Sequence, residues 1–266
     1  MITAVLLLLG SVVQSDSVHN FTTYDTIHHQ ITMGLKSMCV NQRDNGQFLY
    51  EVEFKEDHIE IDPEENNMPR QAGGLYAVGL YYRLNHQRPG FSNLDFSITD
   101  CIDNAVSYLS SLSVGADYIY SESQDTAELI DGNTGATALA LLGMIEICIA
   151  DHSLCRQYLS SPLLPWIEGL LAMRRHKMAE DGMALKEGAF SKNNDDDDES
   201  SEYYDAEAYL AVSRLVKYRD SLYPLIPDES LWDELEVTVR GVDEYFMEYT
   251  DQEDTHWLLQ SWYCLH

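Results

Sequence analysis

The sequence predicts an all-α protein made of repeated helical hairpins, arranged as an α/α toroid with short β-hairpin insertions. Three observations predict it. A fixed order of elements recurs along the chain: a helix, an extended piece, a polar loop and a second helix. The second helix of each unit is lined with alanine and glycine, whereas the first carries bulkier and more charged residues. Such a hairpin cannot bury its apolar face alone, so successive units must stack or close into a ring, and small residues suit the crowded inner layer. An open helical array is the alternative arrangement.

The units follow one another in order. Residues 24–40 (YDTIHHQITMGLKSMCV) have helical spacing, and Gly46 to Phe54 alternates apolar and polar like a strand, with Ile59 and Ile61 as its return. The first small-residue helix then opens after Arg70 with Ala72, Gly73, Gly74, Ala77 and Gly79. In the second unit, residues 99–113 form the outer helix, Asp117 to Tyr120 is extended, and Asp131-Gly132-Asn133-Thr134 leads into GATALALLGMIEICIA. The third pairs a helix at 163–178 with an extended piece near Met183 to Phe190, after which Tyr203-Tyr204-Asp205 opens AEAYLAVSRLVKY. A fourth outer helix at 230–249 precedes Asp254-Thr255-His256-Trp257 and LLQSWYCLH, so that either four hairpins suffice or the fourth inner helix is incomplete at the C-terminus.

Before these units, residues 1–15 read as a secretory signal: TAVLLLLGSVV is apolar but too short to span a bilayer, and small residues suited to cleavage follow it. No Lys or Arg precedes the apolar core, so a buried N-terminal helix is the competing reading. Asn20-Phe21-Thr22 is a glycosylation sequon, meaningful in the secretory pathway. The remainder, 16–266, reads as a single domain, secreted or held in the secretory-pathway lumen, with no further segment long and apolar enough to cross a membrane.

Charge narrows the partners. With 16 Lys+Arg against 45 Asp+Glu the chain carries a formal net charge of −29, which repels phosphate backbones and excludes nucleic acid as a partner. Solubility or a saline medium accounts for the acidity without any ligand. The five cysteines show no zinc spacing, and their odd number leaves at least one unpaired. Cys148 and Cys155 stand close enough to pair across a helix end, and buried free thiols are equally compatible. The histidines have no metal spacing, so no metal or cofactor is expected. The run NNDDDDESSE (193–202) lacks the spacing of a calcium loop and reads as a solvated segment.

One succession of residues resembles a known family. Gly46, Phe48 and Tyr50; Asn67, Arg70, Ala72, Gly73, Tyr76 and Ala77; Gly135 with Ala138 to Leu142; Tyr204, Glu207, Ala208 and Ala211; and His256-Trp257 together resemble the six-hairpin glycosidase-like α/α toroid proteins. The resemblance covers nearly all of the chain after residue 15. It implies a central cleft that acts on or binds a polysaccharide or oligosaccharide, as a glycoside hydrolase, lyase or epimerase. The chain is shorter than a full six-hairpin ring requires, and no acid/base pair of the family can be matched to it.

In a ring, the loops before the inner helices converge on one mouth. That places Asn67 and Arg70, Asn133, Tyr203, Tyr204 and Trp257 as sugar-binding candidates, because amides and guanidinium groups hydrogen-bond hydroxyls or anionic groups and aromatic rings stack on pyranose faces. Asp131, Asp205, Glu207 and His256 are the candidates for proton transfer. Glycoside hydrolysis needs two carboxyl groups, about 5 Å apart for retention and about 6.5–9.5 Å for inversion. Each candidate has a plain structural alternative: Asp131 and Asp205 sit where helix N-caps belong, Arg70 can pair with Glu64 or Glu65, and His256-Trp257 can be a packed corner. A non-catalytic helical scaffold that binds a glycan or a basic protein is therefore the rival reading.

Overall fold

The computed structural model describes residues 20–49, 52–54, 59–61, 66–87, 94–113, 117–122, 129–174, 190–192, 194 and 202–249. The proposed signal segment, the Met183 to Phe190 extended piece except Phe190 itself, and the His256-Trp257 corner lie outside them. In chain order the elements are α1 (Asn20–Val40), β1 (Val52–Phe54), β2 (Ile59–Ile61), α2 (Met68–Asn85), α3 (Ile98–Ser111), β3 (Tyr120–Glu122), β4 (Leu129–Gly132), α4 (Thr134–Ala150), α5 (His152–Tyr158), a π-helical turn (Leu159–Leu163), α6 (Leu164–Ala172), α7 (Glu202–Lys217), α8 (Arg219–Leu222) and α9 (Glu229–Tyr249). The described chain is all-α, with two small antiparallel hairpins that pair Val52 with Ile61 and Tyr120 with Gly132. No helix among the described residues is long and apolar enough to cross a membrane.

The small-residue helices are neighbours. Helix α2 packs against α4, α4 against α7, and α7 against α9. Helix α4 is buried on every side from Thr134 to Cys148, as its near-absence of charge requires. The α2/α4 seam is set by two glycines: a β-carbon on Gly79 would stand 2.5 Å from the Gly143 carbonyl oxygen, and one on Gly143 would stand 2.9 Å from Leu75. Around this centre Trp166, Tyr76, Tyr209, Phe190 and Trp232 fill the core.

The end of the seam away from the helix starts carries a buried ionic triad. Glu146 of α4, with no exposed side-chain surface, lies against Arg83 Nε of α2 and 3.2 Å from Arg214 of α7. Both guanidinium groups also lie over the Tyr218 ring, each 5.9 Å from its centre. Burial pushes the Glu146 carboxyl up and Arg214 and Arg83 pull it back, with burial the larger effect. One carboxylate thus ties α2, α4 and α7.

Two disulfides close the described chain: Cys39–Cys101 staples α1 to α3, and Cys148–Cys155 joins the end of α4 to α5. The alternative of buried free thiols at Cys148 and Cys155 is thereby overturned. The strand expected from Gly46 also starts late. Gly46 has φ 91° and ends a turn in which its N–H donates to the Arg43 carbonyl, and a β-carbon there would meet the Asn104 carbonyl oxygen at 2.0 Å. Only glycine fits that position, so the backbone turns where the alternation suggested extension, and the first paired residue among those described is Val52. Helices α5 and α8 were not anticipated from the periodicity, because each is too short to establish one.

Candidate functional site

Helices α2, α4 and α7 share one local device. Phe48, Ile119 and Phe190, all buried, each precede one of these helices in the chain, and the backbone N–H of each donates to a side chain on the fourth residue of that helix. The acceptors are Gln71 Oε1 at 2.8 Å, Thr137 Oγ1 at 3.1 Å and Asp205 Oδ1 at 3.0 Å. Gln71 also donates back to the Phe48 carbonyl at 2.9 Å. A buried N–H needs an acceptor, and each of α2, α4 and α7 supplies one at the same position although its chemistry changes from amide to hydroxyl to carboxylate.

That device assigns several of the predicted residues. Asp205, buried at 2% exposure, is the bracket of the third hairpin and not the N-cap of α7. Asn67 caps α2 by accepting from Arg70 N at 3.1 Å, and Asn133 caps α4 by accepting from Ala136 N at 2.8 Å. The cap before α4 is therefore Asn133 in place of Asp131, which lies half-buried in β4. Arg70 and Tyr203 are exposed. Glu64, Glu65, His256 and Trp257 lie outside the described residues.

The starts of α4 and α7 meet closely. A β-carbon on Gly135 would come within 2.4 Å of the Tyr204 ring and 2.9 Å of Glu207 Oε2, so both α7 side chains rest on the first turn of α4. Residues 190–192 and 194 lie alongside. Thr134 donates to the Ser191 carbonyl, Thr134 N to the Lys192 carbonyl at 3.2 Å, and Asn194 closes the edge: its Oδ1 accepts from Gly132 N at 2.6 Å and its amide donates to Tyr118 OH at 3.0 Å. Tyr118 and Asn194 belong to this corner with Thr134, and neither of the two is marked in the sequence as a site residue. No periodicity marks a residue whose partners lie in another hairpin.

Glu207 is the chemically distinct member. It is 9% exposed, its Oε2 has no hydrogen-bond partner, and burial alone pushes its carboxyl up to about 8. At neutral pH it is a protonated acid. The equivalent sixth positions of α2 and α4 are Gly73 and Leu139, so the repeat itself does not call for a carboxyl there. Among the described residues, no group of three side chains is placed to hold a metal ion.

No protein-family model matches the chain, and neither a curated protein nor a solved structure is significantly similar to it.

Proposed function

We propose that this chain is a secreted carbohydrate-binding or carbohydrate-active protein of the α/α-toroid kind, in which α2, α4 and α7 are consecutive inner helices and Glu207 is the proton donor. The observation that carries the reading is Glu207 itself: a buried, unpartnered carboxyl held protonated at neutral pH, at the end where the inner helices begin, in a position the repeat fills elsewhere with glycine or leucine. Its placement beside Tyr204 puts an acid next to an aromatic ring, the pairing that suits a sugar. Asp131, on β4 before the same helix start, is the residue left to act as the second carboxyl. Two disulfides suit an oxidising compartment, which supports secretion.

The test is a screen of neutral and uronic-acid polysaccharides for binding and cleavage, comparing the native chain with Glu207→Gln, Asp131→Asn and Arg70→Ala. The reading expects binding that survives Glu207→Gln with turnover lost, and weaker binding of anionic glycans after Arg70→Ala. Absence of binding by the native chain, or turnover indifferent to Glu207→Gln, sinks it.

One observation favours the non-catalytic scaffold: Asn67, Asn133 and Asp205 all spend their side chains on backbone N–H groups. Glycan binding without any turnover, unchanged by Glu207→Gln, is the result that selects this second reading.

A further inference from the structure

A cavity of about 400 Å³ lies between α9 and the residues that follow α6, lined by Arg174, Val237, Arg240, Gly241 and Glu244. This volume lies within the roughly 300–1,000 Å³ of small-molecule sites. Four of these residues form one face of α9, and Arg174 enters from the end of α6, where it bridges to Phe190. In a chain of net charge −29, this groove brings two guanidinium groups together.

Neither arginine is neutralised by a described residue. Lys36, Arg83, Arg214 and Arg219 each lie against a carboxylate, but among the described residues no carboxylate comes within ion-pair distance of Arg174 or Arg240. Arg240 is exposed and its Nε donates only to the Glu236 carbonyl, at 3.4 Å. Arg174 is held more firmly: Nη1 donates to the buried Thr238 hydroxyl at 3.2 Å, and its Nε is buried without an acceptor. Its Nη2 occupies the space beside Gly241, where a β-carbon would stand 2.3 Å away. Glycine inside a helix is destabilising, and here the missing side chain leaves the seat for a guanidinium.

We propose that this groove is a binding site for a small, hydroxyl-bearing phosphate or sulfate ester. Arg174 and Arg240 hold the oxyanion, since planar guanidinium groups match its oxygens two at a time. Glu244 accepts a hydrogen bond from a neighbouring hydroxyl and disfavours a second anionic group, and Val237 offers an apolar edge. The field of the whole chain repels anions, so affinity comes from these short-range contacts and not from long-range steering.

The test is calorimetric titration of the full chain, at constant ionic strength, with glycerol 3-phosphate, glucose 6-sulfate, inorganic phosphate, inorganic sulfate and glycerol. Saturable binding of the esters is expected, weaker binding of the inorganic anions, and none of glycerol. Arg240→Gln, a surface change, should weaken ester binding by about tenfold to a hundredfold, the worth of one charged hydrogen-bonding group. Gly241→Ala should displace the Arg174 guanidinium and weaken binding comparably, with the far-ultraviolet circular dichroism unchanged. No saturable binding of any ester, equal affinity for esters and inorganic anions, or binding that both variants leave intact would overturn the proposal.

Discussion

The carboxyl of Glu207 lies against Gly135, its Oε2 only 2.9 Å from where a β-carbon on that glycine would stand. Helices α4 and α7 therefore touch at their first turns with no space between backbone and side chain. The Tyr204 ring closes the same contact from 2.4 Å. Gly135→Ala should push both side chains off the start of α4 and cost about 1–3 kcal/mol, as overpacking of a filled site does. Denaturant unfolding measures it, and an unchanged midpoint would show that the two helix starts are not packed as described.

Glu207 also makes stability depend on pH. Its carboxyl titrates near 8 in the folded chain against the ordinary 4.5, so the native state holds a proton that the unfolded state releases. The contribution is complete below pH 4.5, declines between 4.5 and 8 by up to about 1.4 kcal/mol per pH unit, and is gone above 8. Glu207→Gln should flatten that decline and leave the variant more stable than the native chain at pH 8. Parallel pH profiles for the two proteins would remove Glu207 as the buried acid.

Removing the carboxylate of the ionic triad should be severe. Glu146→Ala strands Arg83 and Arg214 in a buried setting, and an unpaired buried charge costs about 3–5 kcal/mol. Adding Arg83→Met and Arg214→Met to the same variant should recover a substantial part of the loss. Chemical denaturation of the single and triple variants gives the comparison, and equal instability in both would mean that the triad acts through volume and not charge.

The two disulfides should differ in worth. Cys39–Cys101 joins positions 62 apart in sequence and Cys148–Cys155 positions 7 apart. On the chain-entropy account these loops correspond to about 4 and about 2.5 kcal/mol. Cys101→Ser should therefore lower the denaturation midpoint further than Cys155→Ser, and the reverse order would place the dominant effect in the native packing.

Much of the helical pattern was legible in the residues. Alanine and glycine at Ala72, Gly79, Ala136, Ala140 and Gly143 mark the crowded helices, and α2 and α4 begin directly after the asparagines Asn67 and Asn133, because capping is local chemistry. What escaped depended on distance in space. Asp205 looked like a cap or a proton carrier because its partner, Phe190 N, belongs to a different segment. The equivalence of Gln71, Thr137 and Asp205 was invisible to a search for similar residues, since three unlike side chains serve one geometric purpose. The Arg174 and Arg240 groove depends on α6 ending beside α9, which no spacing along the chain declares.

The Gly79 and Gly143 contact has a consequence for how this chain can vary. Where backbone meets backbone, the angular setting of each cylinder is fixed, and one inserted or deleted residue turns everything beyond it by about 100°. Such a change between 75 and 79, or between 139 and 143, would swing a bulky side chain into a gap that admits only hydrogen, whereas lengthening a connection between helices leaves the gap undisturbed. Length variation should therefore be confined to the connections, and a deletion scan across these two glycines should find the least tolerant stretch of the molecule.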